Sequence, residues 1–383
     1  MENKSSCIFF FGVIALLGIC GCFLFCIPQK SFSETENRYL TTIQKESIST
    51  FIDTSFQNNL TDMANDQFIG RDIWVKLSVS LQRAIGLCDI NGTYLGKDGY
   101  YFERILDSQL SENRYQNNLR FLEQFSAKSQ TNVTFLPVPS ASTIISDKLP
   151  ENAVLYNAKK LYKQAENCLK NTKLLDIRPD MTKSCKSNQV YFKTDHHWTM
   201  EGAYVGYAAW CKLHKISPKA LEWFSPKKVS KEFYGTLYSK APVFSAESDI
   251  FMLPVKFPKT ETLINGKKID MFSDTKAYKY GIYDWSKLKI KDKYSVYFGG
   301  NLGRIDNHIN NNKSKKLLII KDSFANSIVP FLTEHYQTIT MLDFRYYNDS
   351  VMKLIQSEQF DEILILYEIS NFAQDMNFFK ILK

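Results

Sequence analysis

The sequence predicts an α/β protein whose parallel sheet is covered by helices on both faces, and two patterns predict it. Short runs dense in Leu, Ile and Val, "NVTFLPVP", "KKLLIIKDSF", "TITMLDF" and "DEILILYEIS", read as strands buried on both sides. Between them lie segments with apolar residues at helical spacing, the alternation that parallel crossovers require. A third observation concerns what precedes this domain. Residues 7–27, "CIFFFGVIALLGICGCFLFCI", run 21 positions without a charge, enough at about 1.5 Å per residue to cross a hydrocarbon layer of ~30 Å.

Taken in order, residues 1–6 are expected to be a short cytoplasmic tail and residues 7–27 a single-pass membrane anchor. No small-x-small cleavage site closes the run, and Pro28 and Lys30 end it; a lipoprotein reading of "ICGC" stays open. Lys4 and Lys30 flank the run evenly, so an extracytoplasmic C-terminal part follows only from there being one N-terminal anchor ahead of a long chain. Residues 28–86 read as a stalk of one or two amphipathic helices, and residues 87–383 as the main domain. In that domain "INGTYLGKDGYYF" suits a hairpin, Leu110–Ser129 a helix, "KLLDIRPD" a further strand and "TMEGAYVGYAAWCKLH" a helix. Short aromatic stretches over about 217–313 mark a β-rich insertion. The last three strands then alternate with "FANSIVPFLTEHY" and "SVMKLIQSEQF".

With 383 residues, 44% of them hydrophobic, the chain can bury a full core. Its net charge of +8 lies almost wholly beyond the apolar run and points to an anionic surface or polymer as neighbour. Nucleic acid is set aside, because the basic residues are scattered among acidic ones and no nucleic-acid-binding signature is present. Cys7, Cys20, Cys22 and Cys26 fall in the apolar run. Cys88, Cys168, Cys185 and Cys211 lack C-x-x-C spacing, which argues against zinc and leaves buried thiols, or disulfides of undetermined pairing.

Two stretches carry chemistry. In "LLIIKDSFANS" a buried strand ends at Lys321, so Asp322 and Ser323 occupy the turn before a helix, at the strand end where ligands collect and free N–H groups face a developing anion. Either residue could instead cap that helix. In "TDHHWTM" two adjacent histidines point in different directions, unlike a metal-binding i, i+4 pair, and no H-E-x-x-H is present. A metal, a packed turn, or a general base oriented by Asp195 are the alternatives. A serine needs a base and a base needs a nucleophile, so the two stretches, 128 positions apart, explain each other if both reach one sheet edge.

"TDHHWT" followed by "GAY", "IIKDSFANS" followed by "LDFRYY", and the upstream "FSETENRYL", "DQFIGRDIW" and "NGTYLGKDGY" together resemble the DHHW protein family. That family is related to the SGNH-hydrolase-like O-acetyltransferases of alginate modification. The resemblance spans about residues 31–383. It implies a three-layer α/β/α SGNH-like catalytic domain outside the membrane, an O-acyl(acetyl)transferase that takes acyl groups from a multi-pass membrane O-acyltransferase and modifies an extracellular polysaccharide. The D-x-H pattern maps onto Asp195 and His197, with Ser323 as nucleophile and His196 as a packing residue. The serine here follows the Asp and His, permuted relative to ordinary SGNH hydrolases. Oxyanion or substrate donors are sought at the Ser323 N–H, Asn326, Asn301, Arg345 and Tyr346, with Arg345 alternatively a partner of Asp343 or Asp322. Water as acceptor would make the protein a carbohydrate esterase; a non-catalytic polysaccharide-binding component is the remaining alternative. No cofactor and no metal is expected.

Overall fold

The apolar runs become strands because both of their faces are covered. A computed structural model describes residues 7–15, 18, 21, 28–42, 54–268 and 281–383. The strands of its large sheet are, in chain order, β1 (Asn132–Val138), β2 (Lys173–Leu174), β3 (Thr260–Ile264), β4 (Lys267–Lys268), β5 (Arg304–Ile309), β6 (Lys316–Lys321), β7 (Thr338–Leu342) and β8 (Glu362–Glu368). They lie side by side in the order β4-β3-β5-β7-β6-β8-β1-β2. On β6, Leu317 and Ile319 point into one core with Trp198 and Trp210, while Leu318 and Ile320 point into the other with Tyr115, Leu119 and Leu122. The first core is roofed by helix Met200–Leu213 and the second by helix Glu112–Ser129, so all four inner positions of the strand, Leu317–Ile320, are apolar.

The sheet is mixed, which corrects the expectation of a parallel one. β7, β6, β8, β1 and β2 are parallel. β3, β4 and β5, all from the 217–313 segment, pair antiparallel with one another and, through β5, with β7. Among its described residues that segment has no helix long enough for a parallel crossover, and antiparallel pairing needs none. Its remaining strands, Pro226–Phe233 and Asp249–Pro254, form a separate antiparallel pair. "INGTYLGKDGYYF" forms three short antiparallel strands within Asp89–Glu103. "KLLDIRPD" gives only a two-residue strand, because Asp176 accepts from the Arg178 N–H at 3.0 Å and Pro179 opens a helix over Arg178–Ser184.

The chain divides into two units, Met1–Leu87 with Tyr238–Ala246, and Cys88–Leu237 with Glu247–Lys383. In the first, helices span Ser55–Asp66 and Arg71–Ala84. "FSETENRYL" and "DQFIGRDIW" meet there: buried Asp66 accepts from Arg38 Nη1 at 3.0 Å and from the Thr41 N–H at 2.8 Å, Gln67 bonds Lys30 and Thr41, and Arg71 pairs with Glu36. Residues 7–15 are helical. The tail at 1–6 and residues 16–17, 19–20 and 22–27 of the anchor reading lie outside the described residues. Among the described residues no helix is long and apolar enough to cross a membrane. Cys168, Cys185 and Cys211 are free thiols, and Cys211 is buried.

Candidate active site

The D-H-H-W stretch folds back on itself. Tyr191 bridges to Trp198, the Phe192 N–H donates to the His197 carbonyl at 3.2 Å, and the Thr199 N–H to the Val190 carbonyl at 2.9 Å. Thr199 then caps helix Met200–Leu213 by accepting from the Gly202 N–H at 3.3 Å. Trp198, wholly buried, donates from Nε1 to the Phe324 carbonyl at 3.0 Å and to Ser327 Oγ at 2.7 Å, fastening this turn to the turn after β6. The two stretches thus reach one place at the carboxyl end of the sheet.

In that second turn the two readings of "DS" are divided between the neighbours. Asp322 is the cap: Oδ1 accepts from the Phe324 N–H at 3.0 Å, and Oδ2 from the Glu368 N–H at 2.9 Å and Asn371 Nδ2 at 2.8 Å. Ser323 Oγ is left to His197, 2.8 Å from its Nε2, and His197 Nδ1 lies 2.6 Å from Asp195 Oδ1. Asp195 also accepts from the His197 N–H at 3.0 Å, and through Oδ2 from the Thr236 N–H at 2.7 Å and hydroxyl at 3.1 Å. A carboxylate at Nδ1 keeps the proton there and turns the Nε2 lone pair toward the serine hydroxyl.

Electrostatics agree with that tautomer. Burial lowers the His197 pKa to about 4, helped by His196 and more weakly by Arg345, against the upward pull of Asp195. The ring is therefore a neutral base at pH 7. Burial pushes Asp195 up, but His196, His197 and Thr236 together outweigh it and hold the carboxyl well below its usual range. The group has a rigid backing: Tyr294 stacks on the His197 ring at 3.7 Å and 9°, and Asp249 accepts from Thr194 N–H and Oγ at 2.8 and 2.7 Å.

The other predicted residues are placed differently. His196 lies with its ring 3.9 Å from that of His197 and its Nδ1 2.7 Å from Thr236 Oγ1. Ligand atoms of Asp195, His196 and His197 come within 4.8 Å of one another, and the hydrogen bonds just described account for that grouping. Arg345 is clamped on Asp343 through Nε at 2.9 Å and Nη2 at 2.6 Å. Tyr346 is 56% exposed at the surface. Asn326 is buried; its Nδ2 donates to Asn301 Oδ1 at 3.3 Å and its Oδ1 has no partner. Asn301 Oδ1 also accepts from Lys321 Nζ at 3.1 Å, a lysine that burial lowers to about 8.

Sequence reasoning missed Gly235, Thr236, Asp249 and Tyr294. A Cβ on Gly235 would sit 2.2 Å from Asp195 Cβ, so only glycine lets Thr236 approach the carboxylate. The "YGT" in "EFYGTLYS" was the sole trace of this, and nothing in its spacing links it to residue 195.

A model of the DHHW protein family matches residues 131–342. Among solved structures, a DHHW family protein from Eubacterium siraeum is similar over 76% of this chain and 95% of its own, at 22% identity and a TM-score of 0.64. PatB1 of Bacillus cereus, solved with a sulfonyl adduct, is similar over 77% of this chain and 100% of its own, at 22% identity and a TM-score of 0.62. No curated protein matches the chain. At such identities the structural likeness speaks for the fold. The family model, by contrast, spans more than half of the sequence, including both chemistry-bearing turns: the chain belongs to the DHHW family.

Proposed function

We propose that the protein is a membrane-anchored, extracytoplasmic O-acyltransferase of SGNH-hydrolase-like fold that acylates a cell-envelope or secreted polysaccharide through an acyl-serine. The observation that carries the reading is the series Asp195–His197–Ser323, joined at 2.6 and 2.8 Å on opposite nitrogens of one ring. His197 Nε2 takes the Ser323 proton as Oγ bonds to the acyl carbon of an ester or thioester donor, and the imidazolium returns the proton to the leaving group. A sugar hydroxyl then attacks the acyl-serine by the same route in reverse. Donors for the oxyanion belong at the turn Ser323–Ser327, which includes Asn326, with Arg345, held on Asp343, as a further candidate.

In this reading residues 7–27 anchor the chain, 28–86 form the stalk and 87–383 the catalytic domain. A multi-pass membrane O-acyltransferase supplies the acyl group. Membership in the DHHW family and the fold shared with PatB1 support it.

The test is intact-mass analysis of the full-length protein in detergent, incubated with a chromogenic acetyl ester or a sulfonyl fluoride. One acetyl or sulfonyl group should appear on Ser323, and on neither Ser323→Ala nor His197→Ala. Equal labelling of all three proteins would refute the reading. Acetate release that no added oligosaccharide can divert would make the protein an esterase.

A further inference from the structure

Helix Arg71–Ala84, in the first of the two units, carries its polarity inside out. Ile73, Leu77, Leu81 and the capping residue Ile85 recur at every fourth position and so share one face. That face points outward: Ile73, Leu81 and Ile85 are 62, 58 and 78% exposed, and Trp74 beside them 56%. Across the helix Val79 is buried, and the charged residues Asp72, Lys76 and Arg83 are half-buried, with Asp72 accepting from Ser33 Oγ at 3.1 Å. A surface helix ordinarily turns its apolar stripe to the core and its charges to water. Phe68 and Ile69, in the turn before the helix, are exposed as well. Exposed Phe244 widens the stripe, its N–H donating to Ser80 Oγ at 3.2 Å.

The position of this helix in the chain indicates what covers it. The uncharged run of residues 7–27 ends three positions before Lys30. The Lys30 N–H donates to Gln67 Oε1 at 3.0 Å, and Gln67 Nε2 donates back to the Lys30 carbonyl at 2.9 Å. Three extended residues reach at most about 11 Å, so the run ends close to Gln67, at the turn that leads into Arg71. With residues 7–27 in a bilayer, lipid is held beside the stripe, and a tethered contact of this kind is populated even where it is weak.

We propose that the face formed by Ile73, Trp74, Leu77, Leu81 and Ile85 lies in the boundary between headgroups and acyl chains, with helix Arg71–Ala84 running in the plane of the membrane beside the anchor. The inference rests on the anchored reading for the nearness of lipid, and on the helix for the contact. An in-plane helix sinks its apolar face about 5–10 Å into that boundary. Tryptophan is favoured at this depth, because its ring is apolar while its N–H reaches water. Residues 28–87 hold six Lys or Arg against seven Asp or Glu, so burial of apolar side chains, and not attraction to anionic headgroups, drives the contact.

The test uses the full-length protein in phosphatidylcholine vesicles whose lipids carry bromine near the top of the acyl chains, where bromine quenches tryptophan on contact. Subtracting the emission of Trp74→Phe from that of the wild type isolates Trp74 from the other four tryptophans. Phe11→Trp, added to the Trp74→Phe chain, reports on the anchor in the same way. Brominated lipid should lower Trp74 emission at least about twofold, while acrylamide in the water should barely change it. Leu77→Glu with Leu81→Glu, which puts two charges on the face, should reverse both results. Trp74 quenched by acrylamide and not by bromine would overturn the proposal. So would Trp74 shielded from both, as a second copy or another protein would shield it, or bromine quenching unchanged in the double glutamate variant. Quenching in the Phe11→Trp chain alone would leave the anchor standing without the in-plane helix. Quenching of Trp74 alone would sink the anchor and leave the helix as the membrane contact.

Discussion

Both ends of the large sheet carry a histidine, a carboxylate and a hydroxyl, yet only one set is wired for catalysis. At the carboxyl ends of the strands, Asp195 and Ser323 occupy opposite nitrogens of His197. At the amino ends, His214 Nδ1 lies 3.3 Å from Glu362 Oε1, but the hydroxyl of Tyr336 bonds the carboxylate itself, and His214 Nε2 is buried without a partner. Glu362 also takes Lys315 Nζ at 3.0 Å, and Tyr336 accepts from Trp210 Nε1 at 3.0 Å. The same residue types therefore make a proton relay in one place and a fixed polar plug in the other. What separates them is connectivity. A base must have a hydroxyl on the nitrogen that its carboxylate does not hold, and that hydroxyl must lie at a turn open to substrate.

The sharpest way to break this contrast is to delete each histidine. His197→Ala and Ser323→Ala should each lower acyl-Ser323 formation from an acetyl ester by at least about 10³-fold, since members of such a unit fail together. His214→Ala should leave the rate of acylation within about twofold while lowering the midpoint of thermal unfolding. If His214→Ala were as inactive as His197→Ala, the distinction between relay and plug would be lost. Asp195→Asn follows, with a loss of roughly 10²- to 10⁴-fold, because an amide no longer selects the Nδ1–H tautomer. Its expected signature is a fall in kcat with KM for the ester little changed.

Gly235→Ala ranks next. The added methyl would sit 2.2 Å from Asp195 Cβ and 2.4 Å from its Oδ2, so the Thr236 hydrogen bonds or the carboxylate must move. A loss of about 10- to 100-fold in kcat is expected, since small displacements of an orienting group are amplified in the rate. Circular dichroism should show the fold retained; wild-type kcat in this variant would mean that Asp195 tolerates the shift and is not held by that turn.

How much of this was legible beforehand follows from the kind of interaction involved. Strands such as "LLII" and "ILILY" declared themselves because burial on both faces favours apolar residues at successive positions. Asp195, His197 and Ser323 could be paired because each type is chemically incomplete alone. The order of the sheet was not legible. "TETLI" and "RIDNHI" are strands with mixed polarity, and buried Asp306 and Asn307 depend on tertiary partners, the Thr340 and Thr262 hydroxyls, that no local spacing announces. Thr236, Tyr294 and Asp249 escaped for the same reason: they touch the site through folding alone, and no spacing in the chain encodes it.

A smaller effect tests the plug. Tyr336→Phe removes the hydroxyl between Trp210 Nε1 and Glu362, leaving a buried N–H unpaired, and should cost about 1–3 kcal/mol of stability. Acylation of Ser323 should be unchanged, measured beside urea unfolding of the same preparation. An activity loss matching that of Gly235→Ala would show that the two ends of the sheet communicate.

The subtlest separation is in pH. The folded His197 pKa of about 4 lies below its ordinary 6.5, because burial disfavours the charged ring. The unfolded chain therefore binds more protons between those values, so the stability His197 contributes is full above pH 6.5 and is lost as the pH falls toward 4. Glu362 is lowered from 4.5 to about 2, its bonds to His214, Tyr336 and Lys315 outweighing its burial, and its contribution is full above 4.5 and is lost as the pH falls toward 2. The two ends thus fail in different acid ranges. In urea unfolding between pH 2 and 7, the difference from the wild type should change between pH 6.5 and 4 for His197→Ala and between pH 4.5 and 2 for Glu362→Gln, whatever buried His335 and Glu368 add to the wild-type profile. Acylation in the wild type should hold down to about pH 4, where the base acquires its proton. A single slope abolished by Glu362→Gln alone would mean that the carboxylate at the amino ends, and not the relay histidine, governs acid sensitivity throughout.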